Sequence, residues 1–224
     1  MIAVITAVTV ASAGSFTLWG VPDHDFTVGF DLDLTLADTR SGIAAVYDAL
    51  SAESGVFIDS ALVVTRLGPP LETELANWFP AGQVPAMVGR FRELYPDLAV
   101  PATRPMAGAA AAVAAVRGQG GRTVVVTAKN QRDAERTVRF LGLPVDHVVG
   151  SLWAAAKGRA LKEHGAVTYV GDHTGDIDAA RAASAISVGV ATGPFDLAAL
   201  RDYGADVVLP DLNAFPDWLA DHRQ

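Results

Sequence analysis

Asp31 and Asp33 stand one residue apart at the end of an apolar run, in VGFDLDLTLADT at residues 28–39, with Asp38 close behind. On an extended backbone, residues i and i+2 point the same way, so the two carboxylates repel. A bound cation would offset that repulsion, and so would a proton retained by one carboxyl; the two options lead to different chemistry. Two further apolar runs end in polar groups: VVV at 124–126 leads to Thr127, and TYV at 168–170 leads to GDHTGD, which carries Asp172 and Asp176. Lys157 precedes the second of these runs. Brought to one edge, these groups make a carboxylate cluster with one hydroxyl and one ammonium. Oxygen ligands in that number suit a hard divalent cation, most naturally Mg²⁺.

Such convergence needs elements whose ends line up. TVGFD at 27–31 reads as a first strand. From 41 to 103 the pattern is helical, in SGIAAVYDALSAES with Ser41 as N-cap, DSALVVTRLG, PLETELANWF and VPAMVGRFRELY, punctuated by GPP, PAG and VPATRP. From 106 helix and strand alternate. The strands are RTVVVTA, DHVVG, AVTYVGD, AISVGV and ADVVLP, and the last helix lies near 211–221. Apolar strands alternating with helices predict a parallel sheet covered on both faces, with ligands outside the carboxyl ends of its strands. The expected division is an α/β core of residues 1–39 and 104–224, with a helical insert at 40–103.

Composition narrows the chemistry. The chain has 224 residues, enough for one α/β domain with an insertion, and 25 acidic against 17 basic side chains give a net charge of −8. No basic stripe is present, which argues against nucleic acid as a partner, and an anionic substrate would need local cations. The absence of cysteine excludes disulfides, thiolate metal sites and a Cys nucleophile. The first 22 residues carry no charged side chain. ASA at 11–13 resembles a signal-peptide cleavage site, but the positive n-region is missing, and no Lys or Arg flanks the stretch as a membrane span would require. The simpler reading is an extra strand or hairpin ahead of the core, or a start assigned early. The expected setting is cytoplasmic, with no membrane partner.

The four motifs, in order, resemble those of the haloacid dehalogenase superfamily, in particular its phosphoglycolate-phosphatase-like group with a helical cap inserted after the first motif. GFDLDLTLADT corresponds to the first motif, VVVTAKN to the second, Lys157 to the third and YVGDHTGDIDAAR to the fourth. The resemblance covers nearly the whole chain from residue 26. It implies a Rossmann-like core, a 40–103 cap, and a Mg²⁺-dependent phosphomonoester hydrolase acting on a small phosphorylated metabolite as a monomer or homodimer.

The resemblance also implies roles. Asp31 would be the nucleophile that forms an aspartyl-phosphate, and Asp33 the general acid and base. Thr127 would bind phosphoryl oxygens together with backbone groups of Leu32, Asp33 and Ala128, and Lys157 would neutralise charge on them. Asp31, Asp172 and the backbone carbonyl of Asp33 would hold Mg²⁺, with Asp176 completing the metal site through water or orienting Lys157. Arg66 and Gly68, in TRLGPPL, would face the substrate from the cap, and Arg40 would act as a hinge or counter-charge. Lys162 and Lys129 are the rival lysines to Lys157.

Two positions depart from the group. Leu34 stands where Gly is common, and His173 where a small hydroxyl residue is common. Asp33 itself favours ester cleavage over dehalogenation, which needs no acid two residues after the nucleophile. The alternatives are a phosphomutase on the same scaffold and a non-catalytic or phospho-accepting binding module. Asp38 reads as a cap or loop residue, and Asp178 with Arg181 as a solvated helix face.

Overall fold

The computed structural model describes residues 26–222; the uncharged N-terminal stretch, with its signal-peptide and extra-strand readings, lies outside them. Strand β1 (Thr27–Phe30) is buried along its whole length and sits in the middle of a six-stranded sheet. The other strands are β4 (Arg122–Val126), β5 (His147–Val149), β6 (Ala166–Gly171), β7 (Ile186–Val190) and β8 (Val207–Leu209). Their order is β5-β4-β1-β6-β7-β8, and every pairing is parallel. The chain therefore runs outward from β1 in both directions, and the switch point lies where β1 is flanked by β4 and β6. Five helices cover the faces: α5 (Ala109–Gly118), α6 (Gln131–Leu141), α7 (Lys157–Glu163), α8 (Thr174–Ala183) and α9 (Leu197–Tyr203), with α10 (Phe215–His222) closing the chain.

Strand alternation divides the core in two. Val28, Phe30, Val125 and Val170 point to one face, where they pack with α5 and α10 residues such as Val113 and Phe215. Val124, Val126 and Tyr169 point to the other, against Leu161 of α7 and Ala179 of α8. The strands are apolar on both faces, as the sequence pattern predicts for a buried parallel sheet.

Residues 40–98 are helical: α1 (Arg40–Ser54), α2 (Ser60–Val63), α3 (Leu71–Leu75) and α4 (Val84–Leu98). Ile43, Val46, Tyr47 and Leu50 repeat at helical spacing along α1 and meet Val88, Phe91 and Tyr95 of α4, so this segment has an apolar cluster of its own. Gly42 allows the two ends of the segment to meet, because a Cβ there would lie 2.5 Å from the Ala99 carbonyl oxygen.

Two local expectations are corrected. Helix α1 starts one residue before Ser41, with Thr39 at the cap position, and the Ser41 hydroxyl donates instead to the Ala102 carbonyl. VPATRP is also more than punctuation. Arg104–Pro105 forms a strand, β3, antiparallel to β2 (Ala37–Asp38), so the chain entering the helical segment is hydrogen-bonded to the chain leaving it. Strands of two residues carry no periodicity from which they could be read.

Candidate active site

Asp31 follows β1 directly, and its N–H donates to the Val170 carbonyl at 2.8 Å, which pins it at the carboxyl edge of the sheet. Asp172 follows β6, and Asp176 lies in the first turn of α8. Oxygens of Asp31, Asp172 and Asp176 all lie within 4.8 Å of one another, and all three residues are buried. Lys157, at the start of α7, is 1 % exposed and donates to Asp31 Oδ1 at 2.8 Å and to Asp176 Oδ1 at 2.7 Å. Its third bond goes to the Tyr169 hydroxyl at 2.9 Å. Lys157 is thus the lysine of the cluster; Lys162 lies near the far end of α7.

The surroundings fix each carboxylate. Thr35 Oγ1 donates to Asp172 Oδ1 at 2.7 Å, and the His173 N–H donates to Asp176 Oδ2 at 3.1 Å. His173 caps α8, its Nδ1 accepting from the Gly175 N–H at 3.0 Å, so it is a satisfied capping residue. Glycines leave room: a Cβ at Gly171 would overlap the Asp176 carboxyl, and one at Gly193 would overlap that of Asp172.

With all three carboxylates ionised, the one ammonium would leave two negative charges uncompensated in a site shut away from water. Burial pushes the Asp31 carboxyl up; Lys157 pulls it back, Asp176 raises it again, and it stands at about 7. Burial, with the charges of Asp176 and Asp31, raises Asp172 well above the ordinary carboxylate range. Lys157 is held well above its own range because Asp176 and Asp31 outweigh the cost of its burial. A divalent cation would close this balance, and the donors, all carboxylate oxygens, are the type that hard cations take.

Asp33 has separate surroundings. Its Oδ1 accepts from Thr39 Oγ1 at 2.6 Å and lies 3.1 Å from Lys129 Nζ. The Lys129 ammonium also sits 4.6 Å from the centre of the Tyr95 ring of α4. The Asp33 side chain therefore lies outside the carboxylate cluster, and only its backbone carbonyl is left for the metal role that the family resemblance implies. It lines a cavity of about 100 Å³, together with Lys129 and Asn130 from one side and Tyr47, Arg66 and Tyr95 from the other.

The register pairing Phe30 with Val125 puts Thr127 at the level of the first motif. The Thr127 N–H is committed to the Val149 carbonyl, and its Oγ1 accepts from the Lys129 N–H at 3.2 Å. The peptide N–H groups of Leu32, Asp33 and Ala128, by contrast, donate to no acceptor among the described residues. Leu34 makes the turn that carries the first two of these, and Ala128 lies in the loop after β4. The φ of Leu34 is +59°, the left-handed conformation that favours glycine, and its side chain is buried.

Arg66 and Gly68 both line the cavity. Arg66 makes two hydrogen bonds to Glu74, at 2.9 and 2.7 Å, and a Cβ at Gly68 would lie 2.7 Å from the His173 ring. Arg40 is held by Asp38 at the surface, at 2.6 Å, and Arg181 by Asp178 at 3.0 Å. Sequence reasoning missed the hydroxyl partners of the charged groups: Thr35 on Asp172, Thr39 on Asp33 and Tyr169 on Lys157. It weighed Lys129 only as a rival to Lys157, yet the two lysines serve different aspartates.

No protein of curated function matches the chain by sequence. Solved structures share the fold. A haloacid dehalogenase-like family hydrolase from Streptococcus pneumoniae superposes with a TM-score of 0.76 at 21 % identity, covering 89 % of this chain and 98 % of the other. A predicted phosphatase from Clostridium acetobutylicum gives 0.74 at 22 % identity, covering 88 % and 98 %. A predicted phosphoglycolate phosphatase from Haemophilus somnus gives 0.72 at 19 % identity, covering 88 % and 97 %. The family pattern of haloacid dehalogenase-like hydrolases matches residues 28–181, from the second residue of β1 into the last turn of α8. On that match, which spans all four motifs and the helical segment between the first two, the chain belongs to the haloacid dehalogenase-like hydrolase family.

Proposed function

We propose that the protein is a phosphomonoester hydrolase that acts on a small phosphorylated metabolite through an aspartyl-phosphate on Asp31. The observation that carries this reading is the separation of the two motif aspartates. Asp31 lies in the carboxylate cluster with Lys157, and Asp33 lies apart from it, facing the cavity. A nucleophile and an acid with different surroundings are what ester cleavage requires.

Lys157 holds Oδ1 of Asp31, which leaves Oδ2 to attack phosphorus as the bond to the leaving oxygen breaks. The leaving alkoxide takes its proton from Asp33. In the second step Asp33 removes a proton from water as the water oxygen attacks the phosphoryl group; inorganic phosphate leaves and the Asp31 carboxylate returns. The N–H groups of Leu32, Asp33 and Ala128, with the Thr127 hydroxyl, bind the phosphoryl oxygens, and Lys157 offsets the charge that develops there. Mg²⁺, held by Asp31, Asp172, Asp176 and the Asp33 carbonyl, would supply positive charge beside the phosphoryl oxygens.

Residues 40–103 act as a cap over this edge. The small cavity beneath them, with Arg66 and Gly68 in its wall, selects a small substrate and shields the reaction from water. A phosphomutase would use the same residues, and it is distinguished by whether turnover needs a bisphosphate primer.

The test is hydrolysis of p-nitrophenyl phosphate with and without Mg²⁺, beside Asp31→Asn. Metal-dependent turnover that Asn abolishes supports the reading. A wild type that neither turns over nor traps phosphate on Asp31 would overturn it in favour of a binding module.

A further inference from the structure

Lys157 uses all three of its N–H bonds inside the protein. Two go to carboxylates; the third goes to a neutral hydroxyl, that of Tyr169. The direction of this last bond is fixed by its neighbour. The Val126 carbonyl can only accept, so the Tyr169 hydroxyl donates to it, at 2.6 Å, and offers Lys157 a lone pair. The hydroxyl therefore joins the ammonium to the peptide that leads into Thr127.

The ring reaches this position at a cost to the strand beside it. Gly29 is the central strand's one residue without a side chain, and a Cβ there would lie 2.8 Å from Tyr169 Cδ2 and 2.6 Å from Leu161 Cδ2. Glycine inside a strand weakens it and marks a close approach. Here it opens a slot for the Tyr169 ring. Phenylalanine would fill the same slot with no polar atom to satisfy, whereas a buried hydroxyl must find partners. Tyr169 is 1 % exposed, so both of its partners are protein groups.

We propose that Tyr169 is a positioning residue for Lys157, its hydroxyl anchoring the ammonium nitrogen by accepting the third hydrogen bond while donating its own to the Val126 carbonyl. A tetrahedral ammonium with three fixed acceptors has one orientation. With the third acceptor gone, nothing opposes the pull of the two carboxylates and the nitrogen shifts toward them, and misplacement of a catalytic group by about 1 Å can cost about 100-fold in rate. The proposal rests on the phosphatase reading, in which Lys157 offsets charge on Asp31 and the phosphoryl group.

The experiment compares wild type, Asp31→Asn and Tyr169→Phe on p-nitrophenyl phosphate with Mg²⁺. Tyr169→Phe should lower kcat by about 10- to 100-fold with little change in KM, and a structure of the variant should show the Lys157 ammonium displaced. A variant with wild-type kcat and only a lowered melting temperature would overturn the proposal and leave Tyr169 a packing residue. An inactive wild type would instead overturn the phosphatase reading. NMR of the wild type does not depend on the variant folding or on turnover. The Tyr169 hydroxyl proton should exchange slowly and lie close to the Lys157 ammonium, and rapid exchange with water would overturn the proposal.

Discussion

Thr192, in the loop after β7, donates a hydrogen bond of 2.6 Å to the carbonyl of Leu34, in the loop after β1. The contact supports a residue in an unfavourable conformation. A non-glycine residue at positive φ costs about 1–2 kcal/mol, yet the buried leucine side chain returns roughly 1.5–3 kcal/mol. The family's common glycine is replaced here by a residue whose burial offsets its strain.

That balance predicts an unusual order of stabilities. Leu34→Gly relieves the strain and loses the burial, so it should destabilise by about 1 kcal/mol. Leu34→Ala keeps the strain and loses the burial, and should cost about 2–3 kcal/mol. Urea unfolding of the two variants checks this; an alanine variant as stable as the glycine one would show that the backbone strain is absent.

Thr192→Val keeps the shape and removes the donor, leaving the Leu34 carbonyl without its partner. The expected loss is about 1–2 kcal/mol, measurable in the same unfolding experiment.

Lys157→Met should be far more damaging. It leaves Asp31 and Asp176 buried with no cation between them, and breaking a buried pair costs roughly 3–5 kcal/mol. Added Mg²⁺ should restore part of that stability, since a bound cation relieves the same charges. Thermal melts with and without the metal read both effects.

The metal-free protein should be less stable at pH 8 than at pH 6. Asp31 is raised to about 7 in the fold, mainly by burial, from an ordinary value of 3.8. Between those two values the native state holds more protons than the unfolded chain, so stability falls as pH rises through about 7. Saturating Mg²⁺ should flatten this dependence, and a melting temperature that rises from pH 6 to 8 without metal would contradict it.

Asp33→Asn should separate substrates by leaving group. An alkyl phosphate needs its leaving oxygen protonated and should lose about 10²–10⁴-fold in kcat. p-Nitrophenolate leaves without that help, so its first step should be much less affected. Equal losses in the rate of that first step, read as the pre-steady-state release of the alcohol and of p-nitrophenolate, would remove the general-acid role.

The sequence by itself determined the layered fold and which polar residues end its strands. Continuous apolar runs, separated by helical segments, leave a parallel sheet covered on both faces as the arrangement that buries them. Polar residues that end three such runs, at Asp31, Thr127 and Asp172, must then lie on one edge, because parallel strands end on the same side. Only the tertiary structure decided who pairs with whom. Lys129, Lys157 and Lys162 are chemically alike in the sequence, and it is the placement of α7 against β6 and α8 that gives Lys157 to Asp31 and Asp176 and leaves Lys129 to Asp33. The β2–β3 ribbon, the slot at Gly29 for Tyr169 and the Thr192 contact to Leu34 likewise join segments far apart in the chain. Periodicity records which face of an element is buried; it holds no record of which distant side chain will meet that face.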